Sequence, residues 1–564
     1  MLLPTVIDRV VSEHPEDLVA DMRPNELKGL KATFINMPLR ETAMPNTPPE
    51  GPAILGKILR ERGADVSLLD LNVYRTKDQE AEHRGLPNGR HLTPEEAESK
   101  LLEHLVKNGD QGIIAFSGMI TTLKWQELMA EIVRRLQPDI FLASGGGLAT
   151  EVRSGLFKWI PQLDAVAHSD GDAVILSMAR DVKAIKEVGF EVAFHSRKLS
   201  PYYLGEINGR HRFMYEGQRP RILDSIPYGA LDLLETDPDG RNLLEEVYIP
   251  TPVWGLAANN SSAAPFSMTR SLTTVSSRGC PHACGFCFRG ILGEDRVYRV
   301  RSIHHLAGQV LEFIQRYGID FVGFPDDNFG IDRKRIFDMP GIFRELGINI
   351  RWGTHTRLDE ADDRLAPMRE AGCIYLGFGA ESASETVLKR MIKGGHMLKN
   401  GTVPMRVNGK VFQFPKTMVD GMRNTWANDM HGNCTWIMGY PGETLADLQT
   451  SVAFILWQME NCPPEAVNRR MFMATPYPGT EMFKDPEVKD KLTEVFGISF
   501  DETGNPVADE NLRQFILDLD DATKVLENKK GEPLYFGAMP LDQFLEAREY
   551  VDNNQIEKIL DMSA

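Results

Sequence analysis

Short apolar runs alternate with stretches of helical spacing over the first third of the chain. The run KATFINM is followed by PAILGKILRERG, with apolar residues at helical intervals, and then by DVSLLDL. GIIAFSG, DIFLASGGG and DAVAHS continue the series, with a helical pattern near residues 122–136. This alternation is typical of βαβ units. We predict a doubly wound, mainly parallel α/β domain over residues 1–185, with any ligand at the carboxyl ends of its strands.

A second β/α series begins near residue 270, after a segment of irregular composition. Residues 186–265 are rich in Pro, Gly, Ser and Asn, which predicts a surface connector with short strands. Six strand–helix pairs then follow over residues 266–480, from LTTVSS to NRRMFMA. This series favours a parallel (β/α)6 barrel or partial barrel, active at the carboxyl ends of its strands. The composition of residues 481–564 predicts an acidic, mostly helical C-terminal region.

Charge and composition limit the partners that we expect. The formal net charge is −17 and the pI is about 5.4, so no global basic field attracts nucleic acid or an anionic membrane. The N-terminus has no secretory pattern, and no run of 18 apolar residues occurs. We expect a cytoplasmic protein with no membrane and no nucleic-acid partner.

Half of the six cysteines lie within eight positions, in the loop CPHACGFC. Six cysteines are too few for a disulfide framework in a chain of 564 residues, so the cluster indicates metal binding or redox chemistry. Structural zinc needs four ligands, usually in two pairs, whereas Cys280, Cys284 and Cys287 have C-x3-C-x2-C spacing. An iron–sulfur cube normally takes four cysteines, so three leave one iron open. Zinc or a purely structural cluster is the alternative.

CPHACGFC, following a predicted strand, resembles the motif of the radical S-adenosylmethionine (SAM) superfamily. In that family the three cysteines hold a 4Fe–4S cluster whose open iron binds SAM, and the reduced cluster cleaves SAM to a deoxyadenosyl radical. FGAESAS resembles the family's fourth-strand segment, and GFPDDNFG stands where the family usually has Gly-Gly-Glu. The resemblance implies a SAM site made by Phe286, Asp326, Asp327, Glu381 and Ser382. A helix N-terminal role is the alternative for Glu381.

The first predicted domain resembles the Rossmann-like cobalamin-binding domain of one class of radical SAM enzymes. TPPEGPAILGKILRERGADVSLLDL, FSGMITTLKW and ASGGGLAT are similar to its loops. Short hydroxyls and glycines suit close approach to a macrocycle or its nucleotide tail. The resemblance implies cobalamin contacts from Ser117, Thr121, Thr122, Gly145, Gly146 and Gly147. The D-x-H-x-x-G element is absent, and His168 in DAVAHSDG is interpreted as an ordinary strand-end histidine. A scaffold without cobalamin is the alternative.

Three residues at predicted strand ends are candidate catalytic groups. RWGTHTRLDE places His355 and Arg357 at the end of the third barrel strand, and TPYPG places Tyr477 at the sixth. Arg357 suits a carboxylate or phosphonate, and His355 or Tyr477 suits proton transfer. Structural roles are the alternatives, with Asp359 or Glu381 as partners of Arg357. Residues 393–417 contain NG turn signals and predict a hairpin that is either a lid or a surface insertion.

The resemblance, over about residues 30–480, implies a cobalamin-dependent radical SAM methyltransferase. It implies methyl transfer to an unactivated carbon or phosphinate phosphorus of a small-molecule intermediate, with a flavodoxin or ferredoxin as electron donor. A cyclase or rearrangement enzyme with the same cofactors is the first alternative, and S-adenosylhomocysteine would separate the two. A noncatalytic corrinoid sensor is the second alternative, although a sensor has no need of an open iron. Methylthio transfer to RNA is disfavoured by the acidic charge.

Overall fold

The computed structural model describes residues 22–39, 41–42, 44–250, 268–288, 298–462, 467–519 and 524–563. The chain divides into two compact units, unit 1 (Met1–Tyr248) and unit 2 (Ile249–Ala564). No helix in the described ranges is long and apolar enough to cross a membrane.

Unit 1 is built on a seven-stranded sheet with helices between its strands. The strands are β1 (Lys31–Asn36), β2 (Asp65–Asp70), β3 (Ile113–Gly118), β4 (Phe141–Gly146), β5 (Ala165–His168), β6 (Tyr203–Ile207) and β7 (Arg210–Glu216). Their order is β2-β1-β3-β4-β5-β7-β6, and every pair is parallel except β6 with β7. The helices are α1 (Glu50–Glu61), α2 (Gln79–His83), α3 (Pro94–Asn108), α4 (Leu123–Leu136), α5 (Gly147–Val152), α6 (Leu156–Trp159), α7 (Val174–Val188) and α8 (Phe190–His195).

Residues 186–248 differ from the expected connector, because they belong to unit 1. β7 extends the sheet by pairing in parallel with β5, and β6 forms the antiparallel edge. Phe213 and Tyr215 on β7 are fully buried, and the Tyr215 hydroxyl donates to Asp181 at 2.8 Å. Burial of these two alternating aromatics holds the segment on the sheet. The last part of the expected connector, residues 251–265, lies outside the described residues.

Unit 2 contains a six-stranded parallel sheet in chain order, which confirms the predicted partial barrel. The strands described in unit 2, including those outside this sheet, are β8 (Ser271–Thr273), β9 (Ser277–Arg278), β10 (Arg299–Val300), β11 (Phe321–Phe324), β12 (Arg351–Arg357), β13 (Cys373–Glu381), β14 (Thr402–Val407), β15 (Lys410–Pro415), β16 (His431–Met438) and β17 (Phe472–Met473). The main sheet has the order β8-β11-β12-β13-β16-β17. β9 pairs with β10 and β14 with β15, both antiparallel.

The helices of unit 2 cover one face of this sheet and form the C-terminal region. They are α9 (Ile303–Tyr317), α10 (Arg333–Glu345), α11 (Leu365–Glu370), α12 (Glu385–Arg390), α13 (Gly394–Met397), α14 (Lys416–Ala427), α15 (Leu445–Asn461), α16 (Glu481–Lys484), α17 (Pro486–Phe496), α18 (Glu510–Leu517) and α19 (Leu541–Asp552). Trp352 on β12 packs with Phe324 and Phe329 beneath this layer. Because side chains alternate along a strand, His355 and Arg357 face the opposite side from Trp352, the barrel interior.

The hairpin β14–β15 confirms the prediction from the NG turn signal. Asn408 and Gly409 both have positive φ, as a two-residue hairpin turn requires. Phe414 is fully buried and packs on Phe454 and Trp457 of α15, with ring centroids 5.0 and 6.3 Å away. The hairpin therefore packs on the outer helical layer.

Candidate functional site

The cysteine loop follows β9 and is anchored at Gly285 by two backbone hydrogen bonds. Cys280, Cys284 and Cys287 are half-buried. The Gly285 N–H donates to the Met391 carbonyl at 2.9 Å, and the Met482 N–H donates to the Gly285 carbonyl at 2.8 Å. These bonds fix the loop between the end of α12 and the start of α16.

Charged groups at and just after the end of β12 lie against the loop. The Arg357 guanidinium donates to Cys284 Sγ at 3.5 Å and to Asp359 at 2.9 Å. Burial disfavours the charged guanidinium, but the charges of Asp359 and Cys284 outweigh it and raise the pKa of Arg357. His282 Nε2 lies 3.7 Å from Glu360 Oε1, and the Thr356 hydroxyl donates to Glu360 at 2.7 Å. Burial raises the pKa of Glu360, but these polar neighbours outweigh it and lower the pKa.

Burial is the main cause that raises the pKa of Cys280. A bound metal reverses this preference, because coordinating thiols are deprotonated. In the part of the chain that the structure describes, no three His, Cys, Asp or Glu side chains converge on a single ion. A cubane is larger than one ion, and its cysteines bind separate irons. The donor set of three nearby half-buried thiols therefore fits an iron–sulfur cluster with one open iron.

Glu381 lies in a strained turn at the end of β13. It has a φ of +65°, and the strand register shifts between Gly379 and Glu381. Its carboxylate accepts from Lys393 Nζ at 3.2 Å and from the Thr435 hydroxyl at 3.3 Å. The same ammonium lies 5.6 Å from the centre of the Phe286 ring. The structure thus brings the predicted Phe286 and Glu381 together around Lys393.

Lys393 was not among the predicted site residues. It is only 5% exposed, although it begins the segment interpreted as an insertion. A Cβ on Gly379 would lie 2.6 Å from Glu381 Oε1 and 2.9 Å from Lys393 Nζ, so a larger residue there would displace this ion pair. Glu360 and His282 were also missed. Their positions in the sequence could have indicated both residues, because His282 lies inside the cysteine motif and Glu360 follows β12.

The other predicted SAM residues lie close to the loop or inside protein networks. Asp326 is buried and accepts from Ser276 N at 2.7 Å and from the Ser277 hydroxyl at 2.6 Å. Asp327 accepts from Gly279 N at 3.2 Å. Ser382 is fully buried, and its hydroxyl lies 3.1 Å from that of Ser451. Both aspartates therefore order the chain before the first cysteine, and SAM contacts by these residues stay predictions.

His355 lies on β12, and Tyr477 follows β17 of the same sheet. On β12, His355 faces the barrel interior beside Gly377 of β13. A Cβ added to Gly377 would lie 2.3 Å from the imidazole Cδ2 of His355. Burial lowers the pKa of His355 to about 4, so its imidazole is neutral at pH 7. Tyr477 is half-buried in the turn after β17, and its carbonyl accepts from Thr480. The catalytic roles of these residues and of Arg357 stay predictions.

The predicted cobalamin residues of unit 1 occupy the carboxyl ends of β3 and β4. Ser117 and Thr121 are half-buried, whereas Thr122 is fully buried and its hydroxyl donates to the Met119 carbonyl at 2.7 Å. Gly146 has a φ of +88°, and a Cβ there would lie 2.6 Å from the Gly118 carbonyl oxygen. Gly146 is thus needed for loop packing, and Gly147 begins α5.

The same edge of unit 1 exposes apolar surface. Met119, after β3, is 59% exposed and Leu39, after β1, is 42% exposed. A Cβ on Gly145 would meet only two carbonyl oxygens, both at 3.8 Å, so its backbone is open to a close neighbour. His168 is buried, with Nε2 4.0 Å from Glu216. Exposed apolar side chains beside hydroxyls and an open glycine fit a flat, mostly apolar ligand with polar edges.

Comparison with known proteins agrees with this geometry. Residues 274–455, which include the cysteine loop, match the family model of the radical SAM superfamily. Over this segment the chain is similar to the radical SAM superfamily. The match indicates an enzyme with a 4Fe–4S cluster and SAM as cofactors.

Relatives extend the radical SAM match toward the N-terminus. An uncharacterised methyltransferase of Pyrococcus horikoshii is 23% identical over 390 residues, covering 67% of this chain and 70% of that protein. The anaerobic magnesium-protoporphyrin IX monomethyl ester cyclase of Rubrivivax gelatinosus is 22% identical over 387 residues, covering 68% of this chain. The match spans 59% of the cyclase, less than two thirds of its length.

One solved structure shares its fold with most of this chain. TsrM from Kitasatospora setae, a radical SAM methyltransferase determined with cobalamin and a 4Fe–4S cluster bound, superposes with a TM-score of 0.55 at 12% identity. The superposition covers 90% of this chain and 88% of TsrM. This likeness concerns the fold.

Proposed function

We propose that the chain is a cobalamin-dependent radical SAM methyltransferase acting on a small molecule. The carrying observation is the loop with Cys280, Cys284 and Cys287 at the carboxyl end of a parallel half-barrel, within a chain whose first unit is a doubly wound α/β sheet. The methyltransferase relative and the fold shared with TsrM support the choice of reaction. An unactivated carbon or phosphinate phosphorus is the proposed acceptor.

The cofactor residues follow from the geometry of each unit. The three cysteines would hold the cluster, and Phe286 and Glu381, joined by Lys393, would bind SAM with Ser382 and the Asp326–Asp327 pair. In unit 1, cobalamin would bind beside the exposed Met119, in contact with Ser117, Thr121, Thr122 and Gly145–Gly147. When bound, these groups supply a radical initiator and a transferable methyl group.

The chain's own residues position reactants and handle protons. His355 is the proposed proton acceptor; burial lowers its pKa, which keeps the imidazole neutral at pH 7 and makes it a weak base. The neighbouring strands β11 and β13 are almost entirely buried, and shielding from water protects reactive species from side reactions. A flavodoxin or ferredoxin is the proposed electron donor, and no nucleic acid is required.

The test uses the full chain, purified without oxygen and reconstituted with iron, sulfide and hydroxocobalamin. SAM and a strong reductant are then added, corrinoid retained after desalting is read by absorbance, and SAM products by mass spectrometry. We expect retained corrinoid, deoxyadenosine and S-adenosylhomocysteine. Cys287→Ala should lose deoxyadenosine formation, whereas Cys462→Ala, a cysteine outside the loop, should retain it. Deoxyadenosine without retained corrinoid would overturn the methyltransferase proposal.

A cyclase is the second candidate, because one relative is a magnesium-protoporphyrin ester cyclase. A cyclase with the same cofactors makes deoxyadenosine without stoichiometric S-adenosylhomocysteine. Screening tetrapyrrole esters alongside other small molecules, and measuring the ratio of the two SAM products, decides between the candidates.

A further inference from the structure

Arg357 is a charged side chain in direct contact with a predicted cluster ligand. It ends β12, only 6% of its surface is exposed, and its NH1 donates to Cys284 Sγ at 3.5 Å. Its Nε donates to Asp359 Oδ1 at 2.9 Å, and the Asp359 side chain is also buried. The guanidinium is therefore fixed between one sulfur and one carboxylate.

Such a contact acts on the electron affinity of an iron–sulfur cluster. Reduction adds one negative charge to the cluster and its thiolates, and hydrogen bonds to the sulfurs together with nearby charge set the reduction potential. A buried guanidinium stabilises the added charge strongly, because water screens it poorly. Arg357 should favour the reduced state, and Asp359, on the far side of the guanidinium, should oppose it.

The neighbouring acid, Glu360, is already engaged by other groups. Its oxygens lie 2.7 Å from the Thr356 hydroxyl, 3.2 Å from Asn328 Nδ2 and 3.7 Å from His282 Nε2. Arg364, farther along the same segment, binds Asp362 at 2.7 Å and the Gly330 carbonyl at 2.8 Å. Arg364 thus offers a comparison cation of the same type whose hydrogen bonds do not go to a cysteine.

We propose that the Arg357–Asp359 pair sets the reduction potential of the cluster held by the three-cysteine loop, with Arg357 raising it and Asp359 lowering it. This inference rests on the cluster of the proposed function, and it assigns Arg357 to a cluster sulfur in place of a substrate anion. The step is a one-electron reduction: a low-potential donor such as reduced flavodoxin or ferredoxin loses one electron, and the cluster passes from the 2+ to the 1+ state. No proton or bond is exchanged.

The experiment is a redox titration of the reconstituted full chain without SAM, followed by electron paramagnetic resonance of the reduced cluster. Arg357→Gln should lower the equilibrium constant for reduction at least tenfold, which for one electron is about 59 mV. Asp359→Asn keeps an acceptor oxygen for the guanidinium and should shift the potential upward. Arg364→Gln removes the same charge and should leave the potential near that of the wild type.

Opposite shifts in the first two variants, with Arg364→Gln unchanged, support the proposal, since general loosening of the loop would not produce opposite signs. If Arg357→Gln fails to hold the cluster, Asp359→Asn decides alone, and an unchanged or lowered potential overturns the proposal. A wild-type protein that takes up no cluster overturns both this inference and the proposed function. A normal cluster with unshifted variants overturns only this inference, whatever products the methyl-transfer assay yields.

Discussion

Glu443, at the end of the GYPGE segment after β16, is a fully buried carboxyl group. Burial raises its pKa to about 8, although its Oε2 accepts a hydrogen bond from Gly439 N at 2.6 Å. Among the described residues its Oε1 has no hydrogen-bond partner. The native state therefore binds a proton at this site that the unfolded chain, with an ordinary carboxyl pKa, releases at a lower pH.

Replacing Glu443 with Gln should remove a pH dependence of stability. Because the native pKa is raised, the group's contribution is fully present below pH ~4.5 and is lost as pH rises toward 8, by up to about 1.4 kcal/mol per pH unit. We expect Glu443→Gln to unfold at a higher temperature than the wild type at pH 8 and at a similar temperature at pH 5. Thermal melts at both values test this. Glu345→Gln, at an exposed site, is the control, and an equal shift at both pH values for Glu443→Gln would contradict the prediction.

Adjacent glycines at the end of β4 should respond differently to alanine. Gly146 has positive φ and no room for a Cβ, whereas the nearest atoms to a Cβ on Gly145 lie at 3.8 Å. Gly146→Ala should cost about 1–3 kcal/mol of unfolding free energy from strain, and Gly145→Ala should change it by less than about 0.5 kcal/mol. Denaturant unfolding measures both. A larger loss for Gly145→Ala would show that the loop packs differently.

At the scale of elements, the packing of the hairpin β14–β15 against α15 should contribute to the stability of the fold. Phe414→Ala removes the fully buried ring by which β15 packs against α15. It should lower the free energy of unfolding by about 3–5 kcal/mol. Val411→Ser, on the same strand but 55% exposed, should change it by less than about 0.5 kcal/mol. Urea titrations followed by tryptophan fluorescence give both values. Equal losses would mean that the hairpin is held by contacts other than Phe414.

The elements were largely predictable because their periodicity is local. Six parallel strands, their helices and the hairpin follow from apolar spacing and from turn residues such as Asn408–Gly409. β6 and β7 were interpreted as connector strands, because their place depends on which sheet edge is free to pair. Likewise Lys393 meets Glu381 only because β13 shifts register and its last residue takes a left-handed conformation. Such pairings depend on tertiary structure, which residue spacing does not encode.

At the scale of the whole molecule, the two units should bind their cofactors separably. Met119→Glu places a charge on the exposed apolar edge of unit 1, so corrinoid retention should fall while deoxyadenosine formation continues. Cys287→Ala removes one thiol from unit 2, so deoxyadenosine formation should stop while corrinoid retention continues. Val106→Glu, at an 86% exposed site on α3, is the matched control and should change neither. Retention after desalting and product yield are measured on the same full-length preparations. If Met119→Glu keeps its corrinoid, the apolar edge of β3 is not the cobalamin surface; if Cys287→Ala loses corrinoid as well, the two sites depend on each other through folding.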